Sequence, residues 1–265
     1  MFTPFANDNQ FDPDAGAFIN ATGIGGIEAE AINSLVNELK AGNVWSSILA
    51  LYPYVGGTAQ TCKFNLINPQ DTNTAYRLTF AGTWTFDSKG ATPNGAGGTY
   101  ADTYVNPSLT PFSTTSYHLS YYCPAQYAAG DLIDIGQGDY NAGGESTITP
   151  RWTGDTAYFI CYNSATTAGF YSTTNATSTG YWLSNRVSTG QQGWKNGSKL
   201  GTSATNGATT ANRTFYIAAE NNGTGTYRNS PRKHIIDTMG TGLTDTQAFN
   251  LSNSVQKFVT TLNKI

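Results

Sequence analysis

The spacing of apolar and polar positions changes character twice along the chain. From Ile27 onward, Ile32, Leu35, Val36 and Leu39 recur at three- and four-residue steps while Glu28, Glu30, Asn37 and Lys40 occupy other faces, which predicts an amphipathic helix. Gly42 interrupts this pattern, and Val44, Trp45, Ile48, Leu49 and Leu51 predict a second short helical turn before Pro53. After Tyr54 the period shortens to that of strands. Runs near 63–66, 76–86, 99–105, 117–122, 132–137, 145–149, 157–162, 170–174, 181–186, 191–195, 198–202 and 214–220 are separated by turn-forming clusters. Alternation is clearest at 76–80, where Tyr76, Leu78 and Phe80 share one face and Arg77 and Thr79 the other. Such a set of strands fills two packed sheets.

Two local signals sharpen this picture. Asn196-Gly197 lies between strand-like runs, and a type I′ turn needs positive φ at both central residues, which Asn and Gly tolerate best; a two-residue hairpin is expected there. Near the C-terminus, Thr244-Asp245-Thr246-Gln247 reads as a capping box, followed by a stripe of Leu251, Val255, Phe258 and Leu262 at steps of four, three and four. Two partners suit that stripe: the sheet or an edge of the sandwich, and the same helix of neighbouring subunits. Residues 1–25, with Pro, Asp and Gly around isolated Phe2, Phe5, Phe11 and Phe18, read as an extended N-terminal arm whose aromatics bury on this chain or another. The rest, 26–265, reads as one domain: a helical lead-in at 26–54, a β-sandwich at 55–240 and a C-terminal helix at 241–265. The Thr-, Ser- and Asn-rich patch at 202–210 reads as a loop tip because β-signals resume on both sides.

Composition narrows the partners. Of 265 residues, 12% are charged, 38% hydrophobic and 13% aromatic, enough apolar material for a large core without a heavily charged surface. The net charge of -3 and the scattered Lys and Arg provide no field for phosphates, so nucleic acid is not an expected partner. Cys62, Cys123 and Cys161 are odd in number and widely spaced, which fits neither a disulfide framework nor a zinc site and predicts free thiols on strands. The first residues carry neither the basic region nor the apolar stretch of a secretory signal, and no run is long enough to insert in a membrane. A chain made in a cytosol is expected, and Asn-x-Ser/Thr triplets such as Asn196-Gly197-Ser198 then carry no glycosylation meaning.

Chemistry-bearing residues are sparse. The two histidines, His118 and His234, lie in no nucleophile elbow or metalloprotease helix, and His118 on an alternating strand reads as a packed, hydrogen-bonded side chain. Only five glutamates exist, three of them in the N-terminal helix; the carboxylate pair that glycoside hydrolysis would need is offered only across loops, by Asp139 and Glu145. Asp131, Asp134 and Asp139 could supply oxygens to Ca²⁺, although aspartates in Gly-rich turns serve as turn formers, and no other cofactor is suggested. Trp152, Tyr171, Tyr181, Trp182 and Trp194 stand beside Asn-, Ser- and Thr-rich turns, the composition of a carbohydrate-binding surface, where aromatic plates meet amides and hydroxyls.

Several stretches in order carry a resemblance: 14–24 (Asp14 to Ile24), 31–36, 52–59, 63–66, 118–122 and 240–245 with the helix that follows. These resemble a family of bacteriophage and prophage virion structural proteins of fibre or spike type. The Asn196-Gly197 hairpin with Phe215-Tyr216-Ile217-Ala218 separately resembles the laminin-G or concanavalin A-like jelly roll. The fold these resemblances imply is all-β, a two-sheet antiparallel concanavalin-like jelly-roll sandwich with short N-terminal helices and a C-terminal helix. The implied function is a non-enzymatic virion protein on the particle exterior: a spike, penton-associated, fibre or decoration subunit that binds a host surface glycan or receptor. It would be a homo-oligomer, trimeric as is common in that family, anchored to other virion proteins by the arm and made in the bacterial host cytoplasm. Two alternatives remain at this stage, a glycan-depolymerising enzyme on the same sandwich and a cellular carbohydrate-binding module, the latter requiring a secretion route.

Overall fold

A computed structural model describes residues 11–139, 143–163, 170–188, 190–204 and 211–265, without the side chains of residues 139, 143 and 163. Its first element corrects the extended arm. Residues Pro13–Thr22 form helix α1, started by Pro13 and by the Asp12 carboxylate, which accepts from the Asp14 N–H, and stopped at Gly23, where φ is +70°. The Pro, Asp and Gly that read as breakers are the caps of a ten-residue helix, and Phe18 and Ala15 are its buried face. Phe2 and Phe5 lie outside the described residues.

Helix α2 (Gly26–Ala41) follows the predicted stripe, burying Ile32, Leu35, Val36 and Leu39. The second helical segment does not form beyond a single 3₁₀ turn at Trp45–Ser47; Ile48–Tyr52 is strand β1. The spacing of its apolar residues suited either period, and antiparallel pairing of β1 with a distant strand decides in favour of β. After the short helix α3 (Ala59–Cys62), residues 63–66 form no strand, contrary to expectation. Asn65 plugs the gap instead: its Oδ1 accepts the Leu51 N–H at 2.9 Å, and the Leu66 N–H donates to the Leu51 carbonyl.

The remaining elements are β2 (Thr79–Ala81), β3 (Trp84–Asp87), β4 (Gly90–Pro93), β5 (Tyr100–Asp102), β6 (Ser116–Cys123), β7 (Ile135–Asp139), β8 (Gly143–Trp152), β9 (Thr156–Asn163), β10 (Phe170–Thr174), β11 (Gly180–Val187), β12 (Gly190–Lys195), β13 (Ser198–Ser203), β14 (Tyr216–Ile217), β15 (Glu220–Asn221), β16 (Thr226–Tyr227), β17 (Asp237–Gly240) and α4 (Asp245–Thr261). The single strand expected over 76–86 starts late, because Tyr76 turns left-handed (φ +60°), and is split at Gly82 (φ +73°), with β2 and β3 in different sheets.

The chain is an antiparallel β-sandwich. One sheet has six strands in the order β1-β17-β6-β11-β12-β13, and the other runs β10-β9-β8-β7-β14-β5-β2, with β15 and β16 attached and the β15–β7 pairing parallel. Between the sheets lies a core that includes Tyr117, Leu119, Tyr121, Ile135, Ile148, Phe159, Trp182 and Phe215. The opposite face of the six-stranded sheet is also covered. Tyr181, Leu183 and Trp194 meet the buried faces of α2 and α4, so helices, first sheet and second sheet form three layers.

Helix α4 starts with the capping box expected of Thr244 and Gln247, and its stripe of Leu251, Val255 and Phe258 is spent on this second core. The hairpin also forms as expected: Lys195 faces Ser198, with Asn196 and Gly197 at φ +50° and +81°. Asn196 is fastened to β11 as well, its N–H donating to the Tyr181 carbonyl and its Oδ1 accepting the Tyr181 N–H at 2.8 Å. A Cβ on Gly197 would stand 3.3 Å from Ser252 Oγ on α4. The hairpin tip thus sits against the helix layer.

Candidate binding groove on the nine-stranded sheet

Strand alternation sends Ile148, Phe159 and Cys161 into the sandwich core and their neighbours outward. On the outward face, Glu145, Thr147 and Thr149 of β8, Tyr158 and Ile160 of β9, and Phe170 of β10 line an open groove of about 230 Å³, completed by Trp152, Ile133 and Arg228. Three half-buried aromatic rings run along it. Trp152 meets Tyr158 edge-on at 5.9 Å, and Tyr158 meets Phe170 at 5.5 Å and 61°. The β8–β9–β10 register fixes this row, since Phe170 pairs with Ile160 and Trp152 with Thr156.

Arg228 is the positively charged residue of the lining. Its backbone is left-handed (φ +54°), a conformation that costs a non-glycine residue free energy and so marks a position held by its surroundings. Its carbonyl accepts the Ile133 N–H at 2.8 Å, and its guanidinium lies 4.9 Å from the Trp152 ring centroid and 4.7 Å from that of Tyr227. Three carboxylates surround the guanidinium: Asp131 at 3.0 Å, Glu220 at 3.3 Å and Glu145 at 3.6 Å. Glu145 and Glu220 are only 2% exposed, whereas the Asp131 side chain is 54% exposed at the rim. Glu220 reaches this place because β15 runs parallel to β7, with Glu220 opposite Gly136.

Of the aromatic residues singled out by sequence, the structure brings only Trp152 to the groove. Tyr181 is buried under the helices and donates its hydroxyl to Ser120 Oγ at 2.7 Å. Trp182 is wholly enclosed between the sheets, its Nε1 donating to the Ser178 carbonyl. Trp194 is buried in the helix-facing core and donates to Gln192 Oε1. Tyr171 stacks on Phe159 and rests where Gly193 and Gly201 lack side chains; a Cβ on either would come within 2.7 Å of it. Tyr181, Trp182 and Trp194 are buried because both faces of β11 and β12 are covered, whereas Tyr171, on β10 of the other sheet, is half-buried with its ring packed against Phe159. Tyr158, Phe170, Glu220 and Arg228 were missed: composition marks aromatic residues, but which face of which strand stays open depends on the register.

Of the aspartates proposed for Ca²⁺, Asp131 and Asp134 are each engaged by a different arginine. Asp131 is turned to Arg228, and Asp134 is buried, accepting from Ser230 Oγ at 2.7 Å and Arg232 Nη1 at 2.8 Å. The Asp139 side chain lies outside the described residues, and with it the Asp139–Glu145 pair. Among the described residues no group of three or more His, Cys, Asp and Glu is placed to hold a metal.

Both histidines are packed. His118 donates from Nδ1 to the Thr241 carbonyl at 2.6 Å and accepts from the Thr238 hydroxyl at Nε2; burial pushes its pKa down to about 4. Burial also acts against the charge on His234, but the adjoining Asp237 carboxylate, by charge and hydrogen bond, outweighs it and raises the pKa. The three cysteines are buried free thiols. Among the described residues no helix is long and apolar enough to cross a membrane.

No protein-family profile and no curated protein matches the chain. Solved structures do. Domain 4 of the extracellular arabinanase AbnA from Geobacillus stearothermophilus, in complex with arabinotriose, is similar over 78% of this chain and 98% of that domain, at 15% identity and a TM-score of 0.50. A botulinum neurotoxin type C structure, described as entering cells through two ganglioside molecules, is similar at 10% identity and a TM-score of 0.55 over 81% of this chain. A Trypanosoma rangeli sialidase mutant is similar at 13% identity and a TM-score of 0.50 over 87% of this chain. The chain spans 53% of the neurotoxin chain and 39% of the sialidase chain. At these identities the likeness establishes the β-sandwich fold.

Proposed function

We propose that this chain is a glycan-binding sandwich on the exterior of a bacteriophage particle, binding a host surface glycan without turning it over. The observation that carries the glycan reading is the groove: three successive half-buried rings, Trp152, Tyr158 and Phe170, beside Thr147 and Thr149, on the outward face of the nine-stranded sheet. Sugars present apolar C–H faces and hydroxyl edges, and a row of aromatic rings with a few polar groups beside it suits such a ligand. The structures of similar fold lend support, since those of the arabinanase domain and the neurotoxin are described with arabinotriose and with gangliosides. The virion role rests on the ordered motifs resembling phage proteins. Several copies on one particle would turn weak single contacts into firm attachment through effective concentration.

Binding rather than hydrolysis is supported by the state of the carboxylates. Glu145 and Glu220 are buried against one guanidinium, positioned to hold Arg228 rather than to flank a glycosidic oxygen. Glycan-array binding by the purified protein is the direct test. Trp152→Ala is expected to weaken binding at least about tenfold, the loss of one stacking plate, with circular dichroism unchanged. Absence of binding across a broad array would overturn the reading, and release of reducing ends from a bound glycan would replace it with an enzymatic one.

A further inference from the structure

We infer that the groove selects neutral and amino sugars and rejects sugars carrying carboxylate, sulfate or phosphate groups, an inference that rests on the glycan-binding reading above. Recognition of an acidic sugar by arginine uses the guanidinium's charge and its fork of N–H donors. Here the charge is countered and part of the fork is occupied by the protein. Asp131 faces Nε, while Glu145 and Glu220 both face Nη1, three carboxyl groups around one guanidinium. The ring faces of Trp152 and Tyr227 enclose the same guanidinium, which leaves it serving as part of the groove wall. The stretches 140–142 and 164–169, which lead into β8 and β10 in sequence, contain no Lys or Arg and so bring no compensating cation.

An anionic ligand seated against Trp152 therefore meets a guanidinium whose charge is already countered, partly shielded from water because Glu145 and Glu220 are buried, and it faces the Asp131 carboxylate at the rim. A neutral sugar meets no such penalty, and an ammonium on an amino sugar is attracted to the Asp131 rim, where the carboxylate is open to solvent. This charge pattern separates the groove from sites that take sialic acid or uronates through an unopposed arginine.

The test uses the full chain against oligosaccharides that share a backbone and differ only in charge. In the β1,4-linked series these are cello-oligosaccharide, chitosan oligosaccharide and glucuronan oligosaccharide, set within an array presenting other backbones in the same three forms. The acidic form is expected to bind at least about tenfold more weakly than its neutral counterpart at ~0.02 M salt, with the gap narrowing at ~0.5 M salt as screening grows. Asp131→Asn, at the exposed rim and without consequence for folding, is expected to narrow the gap as well, and the isosteric Glu220→Gln to narrow it further. Acidic forms that bind as tightly as neutral ones, with binding still lost in Trp152→Ala, would overturn the charge preference and leave the glycan reading intact. Failure of every form to bind would overturn both.

Discussion

His118 joins a buried polar chain in which Tyr181 donates to Ser120, Ser120 and Thr238 share a hydrogen bond, and Thr238 meets His118 Nε2. Because its folded pKa of about 4 lies below the unfolded value near 6.5, the folded state binds fewer protons between those limits. Its stability is full above pH 6.5 and declines as the pH falls toward 4, by on the order of 3 kcal/mol for this group. Chemical denaturation of wild type and His118→Gln across pH 4–7 should show a shallower slope in the variant. His234 acts in the opposite sense: its raised folded pKa contributes stability that is present at low pH and lost as the pH rises through that value. The sequence identified His118 as packed because it alternates with apolar neighbours on a strand. It did not distinguish Trp152, which lines the groove, from Trp182, which fills the core. Both stand on β-type segments beside polar turns, and only the layer lying over each face separates them.

Among the elements, the start and buried stripe of α4 were legible because their signals are local, a capping box within four residues and a stripe within seventeen, while its extent is Asp245–Thr261 rather than 241–265. Thr244→Ala is expected to cost about 1 kcal/mol through the lost cap. Val255→Ala, which opens space where α4 meets α2 and the six-stranded sheet, should cost about 2 kcal/mol, both read from urea unfolding midpoints. The hairpin was legible for the same reason, since Asn196-Gly197 encodes its own turn. Strand β1 was not. Its ladder partner, β17, lies nearly two hundred residues away, and pairing of Tyr52 with Asp237 fixes a conformation that the apolar spacing left open. Helix α1 was hidden for another reason, since Pro13 and Gly23 mark helix ends as readily as they mark loops.

At the scale of the whole molecule, the helices and the groove lie on opposite sides of the sandwich, so the six-stranded sheet is covered on both faces except at its edge strand β13, and the nine-stranded sheet keeps an open groove. The C-terminus is tied into this arrangement: Lys264 is 1% exposed, donates to the carbonyls of Tyr54 and Ser88, and is pushed by burial down to about 8. Removing residues 245–265 would strip the cover from Tyr181, Leu183 and Trp194, and is expected to produce dye binding to exposed apolar surface and loss of a single cooperative unfolding transition. The open face on the far side is where glycan contact is proposed. By itself the sequence determined the two-sheet antiparallel class, the flanking helices α2 and α4, the Asn196-Gly197 turn and the poverty of catalytic groups, because periodicity, caps and turns act over a few residues. Only the tertiary structure decided which aromatic rings remain open and that Glu145, Glu220 and Asp131 converge on Arg228. Those relations depend on register and layer order, which bring together residues up to 97 positions apart, from Asp131 to Arg228, and no local signal encodes them.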